Sequence, residues 1–452
     1  MASIPGSHYD IFAGSQTVNF GVTADPNNVP SPISGNFNLE VITNASGTGS
    51  FSTASGYQGL AILSTDGHTF TALHGNFGFV DAGGNDSIFA GDGNVSIGGA
   101  VGDTITGGTG ASQFLDAHLG HQLVIGGSAG NATIWGGPGD TIMGGAGNAT
   151  IGGVAGDTII GGTSNTFIDG HLGNQSIIGG NAGNTLIWGG AGDTIQGGAG
   201  NVMIGGMAGD TITGGTGNTF IDGHLGNQSI VGGSAGNTTI WGGAGDTIQG
   251  GAGNVTIGGL AGDTITGGTG NWFIDADQGS QSVVGGSAGN GTIWGGAGDT
   301  IQGGAGNVTI GGVAGDTIFG GSGNAFIDAD LGNQSIIGGS GNATIWGGAG
   351  DTIQGASGTG SALIAFGAGR GAGQQETYWD DGATSNGNDT VVDFSQSIGD
   401  RISVSSGENI SNVMTSAHDV SGSTQFTLSD GSTITLLGVT TAQLTAGFFT
   451  TH

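Results

Sequence analysis

Residues 241–293 read WGGAGDTIQGGAGNVTIGGLAGDTITGGTGNWFIDADQGSQSVVGGSAGNGTI. Short β-branched stretches end at Ile248, Ile257, Ile265, Ile274, Val283 and Ile293, which are 9, 8, 9, 9 and 10 residues apart. Between most of them stand Gly-Gly pairs and one or two small residues, so a unit of about nine residues is a tight turn followed by a short strand. A strand of three or four residues cannot stand alone. Two units therefore close one coil of about 18 residues, and stacked coils pair each strand with the next in a parallel ladder around a thin core of inward Ile and Val.

Working outward, the same block opens at Trp135, Trp188, Trp241, Trp294 and Trp346, at separations of 53, 53, 53 and 52 residues. Three coils per block give about fifteen coils over residues 82–355, a stack of roughly 75 Å at about 4.8 Å per coil. The expected fold is all-β: a parallel β-roll or β-solenoid of about 18 residues per coil. Residues 1–81 read as a small N-terminal β cap or assembly domain, because Phe20, Phe37, Leu39, Val41, Phe51, Leu60, Ile62, Phe70 and Phe77 sit in polar, often alternating surroundings. Residues 356–452, where the repeat stops, read as a C-terminal β module.

Composition narrows the function. Glycine fills 109 of 452 positions without a three-residue period and with only 5 prolines, which excludes collagen. Against 33 acidic residues stand only Arg370 and Arg401, for a formal net charge of -31. Nucleic acid is excluded as a partner by the lack of basic clusters, and cations are the natural partners. No cysteine is present, and no apolar run reaches membrane-spanning length. Met1–Gly14 has neither a basic nor an apolar signal region, so export is expected without a cleaved N-terminal signal.

The units alternate in kind. Odd units end Gly-Asp-Thr-Ile, Gly-Asp-Thr-Ile, Gly-Asn-Gln-Ser-Ile, and even units mostly end Gly-Asn-x-Thr-Ile or Gly-Asn-x-Phe-Ile, so one edge carries Asp and the other Asn. Stacked Asn amides can bond along the stack with no ion. Stacked carboxylates about 4.8 Å apart repel by about 0.9 kcal/mol even in water, and hard oxygen ligands of this kind suit calcium. The alternative is that these Asp residues make Asx turns and stay solvated.

The repeat resembles the RTX family of haemolysin-type, glycine-rich calcium-binding repeats, whose unit is Gly-Gly-x-Gly-x-Asp-x-U-x with U a large apolar residue. The resemblance implies that the sixth-position Asp ligates calcium. Gly-Gly-Val-Ala-Gly-Asp-Thr-Ile at 152–159 puts Asp157 there, and Asp103, Asp210, Asp263 and Asp316 are equivalent. Asp193, Asp246, Asp299 and Asp351 come one residue early, with Asp140 in a proline variant. Residues 356–452, with Asp389 and Asp393 as further ligand candidates within 387–402 and the tail ending Phe448-Phe449-Thr450-Thr451-His452, look like a serralysin-type C-terminal module for type I secretion. That resemblance implies a secreted protein, extracellular or at the cell surface, whose repeats are ordered by calcium after export.

Each block-opening Trp follows an inward Ile and should point outward, either as a docking stripe or as a plug over glycine-rich coils. His118, His171 and His224 give way to Asp277 and Asp330 in later blocks, which marks a solvated edge. In Asn271–Asp275 the alternation leaves open whether Trp272 or Phe273 faces inward. No G-x-S-x-G, H-E-x-x-H or phosphate loop occurs, and no enzyme is expected. The leading expectation is a structural protein that self-associates into a surface layer, matrix or fibre. The alternative is an adhesin or an ice or polysaccharide binder using the outward Trp or the Asn and Thr files. Ice binding needs a file on every coil, whereas Gly-Gly-Thr at Thr109, Thr163, Thr216 and Thr269 recurs only once per three coils.

Overall fold

The computed structural model describes residues 83–358, 360–367, 374–380 and 387–452, with the strands and a few neighbouring positions of the first 82 residues. The chain is all-β, and its fold is a parallel β-solenoid of about 16 turns with roughly 18 residues per coil. It divides into two compact units, Met1–Asp222 and Gly223–His452.

In the first unit each coil contributes a strand to each of two sheets. The narrow sheet is built from three-residue strands such as Thr141–Met143, Thr158–Ile160 and Ser176–Ile178, paired in parallel with Ile142 beside Ile159 and Ile159 beside Ile177. The wide sheet uses longer strands, Asn131–Gly136, Asn148–Gly152, Thr166–Gly170 and Asn184–Gly189, in which Ile134, Ile151, Ile168 and Ile187 stand in one file. These inward isoleucines are completely buried. Removing each from water contributes roughly 2 kcal/mol, and the regular file keeps the register, because a one-residue slip would turn every Ile outward.

The described strands within residues 1–81 join the same sheets. Phe37–Ile42, Gly59–Ile62 and Phe77–Asp81 pair in parallel up to Val95–Gly98, and only the first hairpin, Ser7–Ala13 with Gln16–Thr23, is antiparallel. Such a hairpin closes an edge that would otherwise present a row of unpaired backbone groups.

The second unit repeats the pattern. Ile248, Ile265, Val283 and Ile301 form the narrow file, and Ile240, Ile257, Ile274 and Ile293 the wide one. Both sheets run on past the last glycine-rich block. Ala362–Ala365 pairs with Asn388–Val392 and that with Thr433–Leu436, while Thr377–Trp379 pairs with Arg401–Val404 and that with Phe449–Thr451. Ser423–Thr427 then folds back antiparallel on Thr433–Leu436, and a small aromatic core of Phe366, Phe394 and Phe448 fills the end.

Trp272 is the inward aromatic, only 3% exposed, and Phe273 faces out. Its register partner is Gly291, where Thr185 opposes Thr166 in the first unit and Ala343 opposes Ala325 in the second. A side chain at Gly291 would run into the Trp272 indole. One large and one vanishing residue thus fill the space that two small ones fill elsewhere.

Candidate functional site

The expected Asp edge exists, and its carboxylates point inward. Asp103, Asp140, Asp157, Asp193, Asp210, Asp246, Asp263, Asp299, Asp316 and Asp351 each immediately precede a narrow-sheet strand and are at most 1% exposed. Room for them comes from glycine at the inner end of the wide strand. A Cβ on Gly136 would lie 2.8 Å from Asp157 Oδ2 and 2.6 Å from Ile142 Cδ1.

Each carboxylate ties two coils together. Asp157 Oδ2 accepts the N–H of Val154 in its own turn at 2.8 Å, and Oδ1 accepts the N–H of Asp140 one coil back at 2.9 Å. Asp193 does the same with Gly190 N and Gln175 N, both at 2.7 Å. In the second unit Asp263 takes Leu260 N and Asp246 N, both at 2.8 Å, and Asp246 takes Gly243 N and Gln228 N, both at 2.7 Å. The residues that come one position early in the sequence are therefore equivalent in space, because the turn before Asp193 is simply one residue shorter than the turn before Asp210. These Asp residues close turns as Asx residues do, but buried rather than solvated.

Every third position of the file is Gln. Gln175 and Gln228 are 3% exposed and donate through Nε2 to Gly170 O and Gly223 O, while their Oε1 atoms accept no hydrogen bond. A neutral amide after each pair of carboxylates breaks the run of like charge.

Among the described residues no three His, Cys, Asp or Glu side chains converge on a point that could hold a metal ion. Calcium takes six to eight oxygens, and these carboxylates already receive backbone N–H groups on both oxygens, so the arrangement does not fit the calcium turn implied by the RTX resemblance. Asp389 and Asp393 are not brought together. Asp389 is buried and accepts Tyr378 Oη at 2.8 Å and Ala362 N at 2.8 Å, whereas Asp393 is exposed at a left-handed φ of 61°.

Burial raises the carboxyls of Asp103, Asp140, Asp210, Asp263 and Asp351 to about 6, against the opposing pull of the turn amides. Asp157, Asp193, Asp246, Asp299 and Asp316 are raised for the same reason. The folded chain then binds these protons more tightly than the unfolded chain, whose aspartates titrate near about 3.9. Stability should be greatest below about pH 4, fall as pH rises to about 6 and level off above. Thermal melts followed by circular dichroism should show a midpoint lower by on the order of 5 °C at pH 7 than at pH 4. A midpoint that climbs over this interval would mean that the carboxylates are stabilised as anions.

No protein-family model matches the chain, and no curated protein does.

The Asn edge is tied along the stack amide to amide on some rungs, as the sequence suggested, and through backbone N–H groups on the others. Asn148 Nδ2 donates to Asn131 Oδ1 at 3.0 Å and Asn184 N to Asn165 Oδ1 at 2.9 Å. In the second unit Asn254 Nδ2 donates to Asn237 Oδ1 at 3.3 Å, Asn271 N to Asn254 Oδ1 at 3.2 Å and Asn290 N to Asn271 Oδ1 at 3.0 Å.

The five block-opening tryptophans are outward and 46–50% exposed. Each of the first four also lies over a glycine of the following coil: Trp135 over Gly152, Trp188 over Gly205, Trp241 over Gly258 and Trp294 over Gly311. Trp346 packs edge-on against Phe326 at 5.0 Å. The stripe and the plug are thus two halves of one indole. His118 and His171 sit solvated beside Asp116 and Asp169, with Nδ1 to Oδ1 distances of 2.9 and 2.7 Å.

One file went unread in the sequence. The residue after each buried Asp or Gln points out from the narrow sheet, and it is Thr or Ser on every coil from Thr141 to Thr211 in the first unit and from Ser229 to Thr352 in the second. The signal was the hydroxyl residue in Asp-Thr-Ile and Gln-Ser-Ile, hidden beside the more conspicuous Asp.

Proposed function

We propose that this protein is an extracellular structural solenoid that assembles into a layer, matrix or fibre and carries no catalytic centre. The supporting observation is that the Asp and Asn files both hydrogen-bond from rung to rung, which makes near-identical coils mutually reinforcing and leaves a regular surface on the repeats. Within the repeats, irregularity, which a pocket for one small molecule needs, occurs at scattered positions such as Trp272 and Gly291. Passage through a type I secretion system remains the proposed route out of the cell, on the resemblance of the C-terminal module.

Calcium, implied by the same resemblance, would order the chain by relieving its excess of 33 acidic over 2 basic residues. The buried carboxylates favour coils that hold without it. After exhaustive chelation, circular dichroism should still report β-structure, and negative-stain images should show extended assemblies. Collapse of the β signal in chelator with recovery on calcium addition would overturn the self-sufficient reading and establish calcium-triggered folding.

A second reading, an adhesin for surface polysaccharide, is favoured by one observation: five half-exposed indoles at the same position of the wide sheet. Glycan binding by monodisperse protein, lost on Trp241→Ala and Trp294→Ala together, would establish it.

A further inference from the structure

The outer face of the narrow sheet carries no charge, unlike the outer face of the wide sheet. From Ser87 to Gln354 every outward position of its strands is neutral, in a chain with a formal net charge of -31. The solvent-facing acids of the coils lie elsewhere, with Asp116 and Asp169 on the wide sheet in the first unit, and Asp275, Asp277, Asp328 and Asp330 on the wide sheet or the turn that follows it in the second.

The hydroxyls of this face are also unused. Whereas the Asn file bonds to itself, Thr247, Thr264, Thr300 and Thr317 make no side-chain hydrogen bond among the described residues. With Ser282 between Thr264 and Thr300, they stand in register on successive rungs, about 4.8 Å apart. Beside them in the second unit runs a shallow neutral trough of about 730 Å³, lined by Gln249, Thr266, Val284, Gln302, Phe319 and Ile337 and floored by glycine turns.

We propose that the narrow sheet is the assembly face and that its occupant is the narrow sheet of a second copy of this chain. The proposal rests on the assembly reading above and names the surface that carries it. Two copies of so acidic a chain repel wherever their acids oppose, and of the two sheets the narrow one is where they can approach without that penalty. Short Ser and Thr side chains allow two sheets to close to the usual separation of about 10 Å. A raised file beside a trough is self-complementary under a twofold rotation, which sets the file of each copy into the trough of the other. The eight narrow strands from Ser229 to Ala356 offer about 38 Å of length and about 10 Å of width. That is near 400 Å² a side, short of the roughly 1,000 Å² total of a stable interface, so assembly should be strongly concentration-dependent.

The chain has no cysteine, so a single introduced thiol reports one position. In full-length protein, Thr264→Cys should form disulfide-linked dimers under mild oxidation, while Thr256→Cys, outward on the wide sheet, should remain uncrosslinked. Thr264→Glu with Thr300→Glu should raise the concentration at which light scattering detects assembly at least tenfold, with an unchanged circular dichroism spectrum. Trp241→Ala with Trp294→Ala should assemble as the parent does. Efficient crosslinking of Thr256→Cys but not Thr264→Cys, or loss of assembly in the Trp variant alone, would overturn the proposal while leaving the assembly reading in place. A parent chain that stays monodisperse at every concentration, or that does so and shapes growing ice, would sink the assembly reading itself.

Discussion

Replacing Asp263 by alanine should destabilise the second unit by about 2–3 kcal/mol, since a buried amide, Asp246 N, and a partly buried one, Leu260 N, lose their acceptor and a buried orphan costs about 1–3 kcal/mol. The relief of removing a buried carboxylate offsets part of that cost. Asp263→Asn should lose roughly half as much: its carbonyl still accepts one N–H, but its amide nitrogen turns a donor toward the other. Because each coil touches only its neighbours, the defect should also divide unfolding into separate steps, with the weakened rung opening first. Denaturant titration by circular dichroism reads both effects. An Asp263→Ala chain that unfolds at the parent's midpoint in chelator would show that the file does not hold the coils. A loss seen only with calcium present would give these carboxylates a metal to bind.

Gly291→Thr should cost about 3 kcal/mol or more, the upper part of the range for overpacking, because the new Cβ falls within the Trp272 ring, which is wedged between coils and cannot withdraw. Trp272→Thr alone should cost about 3–5 kcal/mol through the cavity it leaves. Together the two substitutions recreate the Thr166 and Thr185 pair of the first unit, and the double variant should recover most of the parent's stability. Additive losses would mean that the two sites do not share one space.

Much of the fold was legible because the period is short and the hydrophobic choice is strict. Ile248, Ile257, Ile265 and Ile274 announce both sheets and their register. The Asn ladder was legible in part: Asn148 and Asn254 donate amide to amide as recurrence at one register position suggests, whereas Asn184, Asn271 and Asn290 are tied through their backbone N–H groups. The Asp file was legible in place and not in orientation. A carboxylate at the end of a glycine turn can face water, a cation or the backbone, and only the space left by glycines such as Gly136 and the converging N–H groups turn it inward. The Thr and Ser file escaped notice because hydroxyl residues are ordinary in strands, and their significance depends on what surrounds them.

The sequence by itself determined the coil, its length, the two-sheet core and the segregation of Asp from Asn, because each follows from spacing along the chain. Tertiary structure alone decided which of Trp272 and Phe273 is buried, that Asp193 and Asp210 are equivalent despite turns of different length, and that one sheet face is free of charge. These are properties of neighbours about 18 residues away, and their physical origin is the meeting of side chains across rungs, where space, amide donors and charge are shared between coils.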